Sequence, residues 1–349
     1  MKQLFLLKVS LFVFCLIGCH TSSVKAHDYI IPAEEAVNFP AALSSPYYDI
    51  DLPVTYFNEI WAYLIAGREG DLSPHFPVSD IGYFGAEVNM YGELISVPDP
   101  GNISFFNGRI HLVIGCSSRA LSYFVLKEGT PQRQALILDI LDASVPFDGL
   151  QINFEYVPPR AGDYYISFLT ELRNGLREDQ IFSVAIAART RTLQNDVYDY
   201  SLITPLVDRV LVMGYDEHWS GSAPGPIASM DWCRRVAAHA LEMIGSEKLI
   251  MGLPFYGRTW GDINPNRAFF HVGIERIKME NGVTEINREN GIPNFTYETS
   301  LTVTVYYEDA YSLTSRLDMY KNMGVQSAGF WCLGQETEEI WSLIRLVQN

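Results

Sequence analysis

Eight short apolar runs rich in Val, Ile and aromatic residues recur along the chain: Ile60 to Ala66, Asp80 to Val88, Arg109 to Cys116, Gly149 to Tyr156, Phe182 to Ala188, Arg209 to Tyr215, Lys248 to Tyr256 and Ser327 to Leu333. Between them lie segments whose apolar residues repeat at helical spacing, among them Gln132 to Leu141, Tyr164 to Leu176 and Trp232 to Ile244. A strand-length apolar run followed by an amphipathic helix is a βα unit. Eight such units in one chain predict a (β/α)8 TIM barrel of the α/β class. About 70 residues separate the seventh and eighth runs, far more than a plain connection needs. Asn281-Gly282, Asn290-Gly291, Pro293 and the alternating Thr302-Val303-Thr304-Val305-Tyr306 predict a small α+β insertion there, over about 259–310.

One run breaks its own apolar pattern. In Gly149 to Tyr156 the side chains of Gln151, Asn153 and Glu155 share one face of the strand, while Leu150, Ile152 and Phe154 share the other. Burying two amides and an acid together costs several kcal/mol unless they are hydrogen-bonded or used, roughly 2–7 kcal/mol for an unpaired amide alone. The row therefore points to a site. Barrel active sites lie at the C-terminal ends of the strands, and there the other runs place Tyr215 with Asp216, Tyr256 with Arg258, and Trp331. Tyr63 and Phe84, from the first two runs, are further candidates. Each of these also has a plain structural reading, as a strand-end or core side chain.

Length, charge and cysteines narrow the class. A chain of 349 residues, 48% hydrophobic and 19% charged, has the composition of a packed globular protein. A formal net charge of −16 argues against a nucleic-acid partner, which is held through clustered Lys and Arg. Residues 1–18 have a positive start and an apolar stretch too short to span a bilayer, and Leu16-Ile17-Gly18-Cys19 follows. This stretch resembles a bacterial lipoprotein signal, which implies lipidation of Cys19, export and membrane anchoring; an ordinary secretory peptide is the alternative. Residues 19–46 read as a tether and 47–349 as the barrel. Cys116, Cys233 and Cys332 are an odd set without CxxC spacing, so at most one disulfide and no metal site is expected.

The segment Asp148-Gly149-Leu150-Gln151-Ile152-Asn153-Phe154-Glu155 resembles the Asp-Gly-x-Asp-x-Asp-x-Glu motif of glycoside hydrolase family 18, the chitinase-like hydrolases. Asp148 and Glu155 match, while Gln151 and Asn153 stand where the family usually has carboxylates. Met213-Gly214-Tyr215-Asp216, Leu253-Pro254-Phe255-Tyr256-Gly257-Arg258 and Gly329-Phe330-Trp331 are similar to further family motifs in the same order. The forms around Glu155 and Asp216 look most like the bacterial branch of spore-cortex and peptidoglycan hydrolases.

The resemblance implies roles. Glu155 would be the general acid, and the substrate's own N-acetyl oxygen the nucleophile, an exception to the two-carboxylate scheme. Asn153 would hold the acetamido N–H and Tyr215 its carbonyl. Trp331 would carry the sugar ring, with Gln151, Asp216, Tyr256, Arg258, Phe84 and Tyr63 lining the cleft. The ligand would be an N-acetylglucosamine-containing polysaccharide, cleaved without metal or organic cofactor. Asn at 153 offers a neutral contact where Asp offers a charged one, a difference of roughly 1.5–3 kcal/mol, hence a tenfold to few-hundredfold slower step. It also removes one reason for Glu155 to stay protonated, so an acidic pH optimum is expected. The Asn-Glu pair of glycoside hydrolase family 85 shows such a site to be compatible with activity. A catalytically silent sugar-binding module is the main alternative, and a scaffold keeping only the fold is the third.

Overall fold

A computed structural model describes residues 52–261, 267–299 and 302–347. The signal, the tether and Cys19 lie outside the described residues. Eight parallel strands form the barrel: β1 (Glu59–Ile65), β2 (Asp80–Val88), β3 (Arg109–Cys116), β4 (Gly149–Phe154), β5 (Ile181–Ala187), β6 (Arg209–Met213), β7 (Leu249–Pro254) and β8 (Ser327–Trp331). Each pairs with the next, and β8 returns to β1 with Ser327 opposite Glu59, so the sheet has no open edge. The eight apolar runs of the sequence are these eight strands.

Helices cover the outside, and their starts are written in the sequence. The side chains of Ser118, Thr130 and Ser229 accept hydrogen bonds from the first-turn amides of Arg119–Leu126, Pro131–Ser144 and Met230–Ile244. Asp309 and Ser312 form a reciprocal capping box on Ala310–Asn322. Between β7 and β8 the strands Gly257–Gly261, Arg267–Phe269, Asn287–Glu289, Ile292–Glu298 and Thr302–Tyr306 make an antiparallel sheet, accompanied by the helix His271–Glu280. That unit has its own small core of Ile274, Phe295, Val303, Val305 and Tyr307.

The floor of the barrel, at the N-terminal ends of the strands, holds charge rather than hydrocarbon. Asp80, fully buried, lies 2.7 Å from Arg109 Nε and 2.8 Å from His111 Nε2. Glu59 accepts from Arg109 at 2.9 Å and from Arg209 at 2.7 Å, which ties β1 to β3 and β6. Burial pushes both carboxyls up, but the bonds from His111 and Arg109 to Asp80, and from Arg209 to Glu59, outweigh it and leave both below the usual carboxylate range. Beneath this floor the short segment Thr55–Phe57 pairs in parallel with Ile344–Leu346, bringing the two ends of the described chain together.

Candidate active site

The row on β4 meets the mouth of the barrel as a graded set. Deepest is Gln151, fully buried, which accepts from the Tyr63 hydroxyl and donates to Ser183 Oγ at 3.1 Å. Tyr63 has room for its ring because residue 82 is Gly: a Cβ there would stand 2.9 Å from the ring carbons of Tyr63. Next is Asn153, 6% exposed, whose Nδ2 donates to Glu155 Oε1 at 3.2 Å. Asn153 Oδ1 and Glu155 Oε2 are buried with no hydrogen-bond partner in the protein. Glu155 keeps some surface as a residue, but burial of its carboxyl pushes its pKa up to about 7, the Asn153 bond pulls it down, and the charge of Asp216 adds to the rise.

A second cluster faces the first from β6 and β7. Asp216 sits at φ +60°, the left-handed region that a non-glycine residue adopts only where its surroundings fix it. What fixes it is three hydrogen bonds from two side chains: Asp216 Oδ1 accepts from Arg258 Nη2 at 2.9 Å and Nε at 3.2 Å, and from the Tyr256 hydroxyl at 2.6 Å. Asp216 Oδ2 is buried and unpartnered. The Tyr215 ring stands edge-on to Tyr256, centroids 6.3 Å apart. From β8, Trp331 packs 5.3 Å from both Tyr63 and Phe84, and its indole N–H is likewise buried without a partner.

All ten residues selected from the sequence for this cleft therefore stand at one end of the barrel. Asp148, though it matches the family motif, does not: it precedes β4 at the opposite end, where its Oδ2 accepts from the Ile110 amide at 2.8 Å and aligns β3 with β4. Sequence reasoning missed part of the wall. A cleft of about 320 Å3 is lined by Phe84, Glu87, Cys116, Ser117, Asn153 and Glu155, among others, with no Lys, Arg or His in its lining. Cys116, Cys233 and Cys332 are buried and not joined in a disulfide. Among the described residues no group of His, Cys, Asp and Glu is arranged to hold a metal ion.

Unpaired acceptors and an unpaired indole donor around a raised carboxyl suit a polar, uncharged ligand with both donors and acceptors, and a proton transfer to it. Residues 107–336 match the sequence model of the Glycosyl hydrolases family 18. A putative sporulation-specific glycosylase, YdhD of Bacillus subtilis, is 28% identical over 237 residues, 64% of this chain and 56% of that protein. The cortical fragment-lytic enzyme of Bacillus anthracis is 25% identical over 67% of this chain and 57% of its own length. The chain thus spans a little over half the length of these curated relatives. The crystal structure of the Bacillus cereus spore cortex-lytic enzyme SleL superposes with a TM-score of 0.75 at 22% identity, covering 84% of this chain and 77% of the other.

Proposed function

Because this chain belongs to glycosyl hydrolases family 18 and is a glycoside hydrolase of that family, we propose that it cleaves the β-1,4 bond next to an N-acetylated sugar in a peptidoglycan- or chitin-type polymer. The observation that carries this reading is Glu155: a carboxyl raised to about 7 by burial, at a strand end, bonded to Asn153. A group with that pKa is protonated at mildly acidic pH and gives up its proton readily, which is what a general acid requires.

The steps follow from the residues. The glycosidic oxygen takes the Glu155 proton as the C–O bond to the anomeric carbon breaks. The acetamido oxygen of the same sugar forms the new bond to that carbon, giving an oxazolinium ion. Asn153 Oδ1, which has no partner in the protein, accepts the acetamido N–H, and the Tyr215 hydroxyl donates to the attacking oxygen and orients it. Water then opens the ring, with Glu155, now ionised, taking its proton. Trp331 supports the sugar face. Asn153 makes the first step slower than a carboxylate would. Anchoring by a lipid on Cys19 is part of the same proposal and would hold the enzyme on the cell envelope.

The test is release of shorter sugars from N-acetylglucosamine oligomers and peptidoglycan, at acidic and neutral pH, by the protein and by Glu155→Gln. Turnover that falls by roughly 10²–10⁴ in the variant, with sugar binding kept, supports the hydrolase. Binding without turnover in either protein replaces it with a catalytically silent sugar-binding lipoprotein, the reading favoured by the amide at position 153.

A further inference from the structure

A charge inventory of the mouth leaves one carboxylate without a counterpart. Asp216 is neutralised by Arg258 at 2.9 Å. Gln151 and Asn153 are amides. Glu155 enters the reaction protonated, its pKa raised to about 7. The third acid is Glu87 on β2, a residue the family motifs do not include. It lines the same cleft as Asn153 and Glu155, and its side chain has no ion-pair or hydrogen-bond partner among the described residues.

Register shows why it points there. Glu87 is opposite Gly115 on β3, and Gly115 is opposite Asn153 on β4, so the three form one row across neighbouring parallel strands. Register-paired residues of a parallel sheet point to the same side. The register between β2 and β3 shifts between Phe84 and Ala86, one extra residue that lets both Phe84 and Glu87 face inward. Gly115, between the two, contributes no side chain, and a Cβ on it would meet nothing closer than 3.6 Å. Two strand spacings, roughly 10 Å, separate the backbones of Glu87 and Asn153, and a glutamate side chain spans part of that.

We propose that Glu87 is the charge-stabilising residue of this cleft: its carboxylate faces the oxazolinium ion from β2 and supplies the negative charge that Asn153 does not. The inference rests on the substrate-assisted reading above. A unit charge acting over about 8–10 Å in a partly desolvated cleft changes the rate roughly tenfold.

Two measurements decide it. In turnover of an N-acetylglucosamine oligomer, Glu87→Gln should lower kcat roughly tenfold with KM nearly unchanged. Glu87→Asp should keep most of the rate, and Asn153→Asp added to Glu87→Gln should restore more than it adds to the wild type. In binding, measured in the Glu155→Gln background, Glu87→Gln should weaken a cationic N-acetylated iminosugar roughly tenfold and leave the neutral oligomer unaffected. An unchanged kcat, strictly additive effects of positions 87 and 153, or equal loss of both ligands overturns the role of Glu87. A protein that shows no Glu155-dependent turnover overturns the hydrolase reading instead, and the binding comparison then still decides whether Glu87 favours positive charge. Far-UV circular dichroism and the melting temperature of each variant separate these results from a folding defect.

Discussion

At Glu155 two effects compete, and burial wins. The sequence led to the expectation that losing an acid at position 153 would favour ionised Glu155; the structure keeps its pKa near 7 by burial, with Asp216 adding to the rise. The falling limb of the rate against pH should therefore lie near pH 7. Asn153→Asp puts a like charge beside Glu155 and raises its pKa further, so kcat should increase roughly tenfold or more and the falling limb should move upward. A pH profile of kcat/KM for both proteins checks this, and an unmoved limb would count against the Asn153–Glu155 contact as described. Stability carries the same signature. A carboxyl whose folded pKa exceeds its unfolded value stabilises fully below about pH 4.3 and loses that contribution as pH rises through about 7. Glu155→Gln should accordingly gain on the order of 3–4 kcal/mol over the wild type above neutrality and little at acidic pH, as read from chemical denaturation at both.

At the scale of single elements, what was legible followed period and what was missed broke it. Gln151, Asn153 and Glu155 were visible because three polar side chains alternate with Leu150, Ile152 and Phe154 on a strand that keeps strict period two. Glu87 was not, because Phe84 and Glu87 cannot face the same way on a regular strand, and the register shift that allows it has no clear sequence mark beyond Gly85. The charged floor was missed for a different reason. Asp80, Arg109 and Arg209 begin their strands, and a polar residue at a strand start reads as its boundary, whereas the closed barrel turns these side chains inward. A tightly filled barrel also makes a distant prediction. Gly82→Ala would force a Cβ to 2.9 Å from the Tyr63 ring and displace the ring that bonds Gln151. The cost should be about 1–3 kcal/mol, with a loss of kcat/KM as the row on β4 shifts; unfolding curves and kinetics on the same sample would show both.

For the whole molecule, the floor network governs response to acid. Asp80 and Glu59 are held below their unfolded pKa values, so the stability they contribute is complete above about pH 4 and is lost as pH falls through their lower folded values. Asp80→Asn removes the buried charge that His111 and Arg109 share, leaving Arg109 with Glu59 alone, and should cost about 3 kcal/mol at neutral pH. The deficit should shrink in acid, where the wild-type carboxylate is itself protonated; melting temperatures across the acid range test this, and a deficit independent of pH would remove the network from that role.

The pairing of Thr55–Phe57 with Ile344–Leu346 sets a polarity for the particle as a whole. Both ends of the described chain leave from the floor, while Glu155 and Trp331 open at the far end. A support joined directly at the amino-terminal end of the described residues would have the cleft facing away from it and toward whatever polymer lies beyond. A bead joined at either end of the described residues should therefore leave access to long glycans unimpaired, and a partner fused there would ride behind the barrel rather than in the path of its cleft.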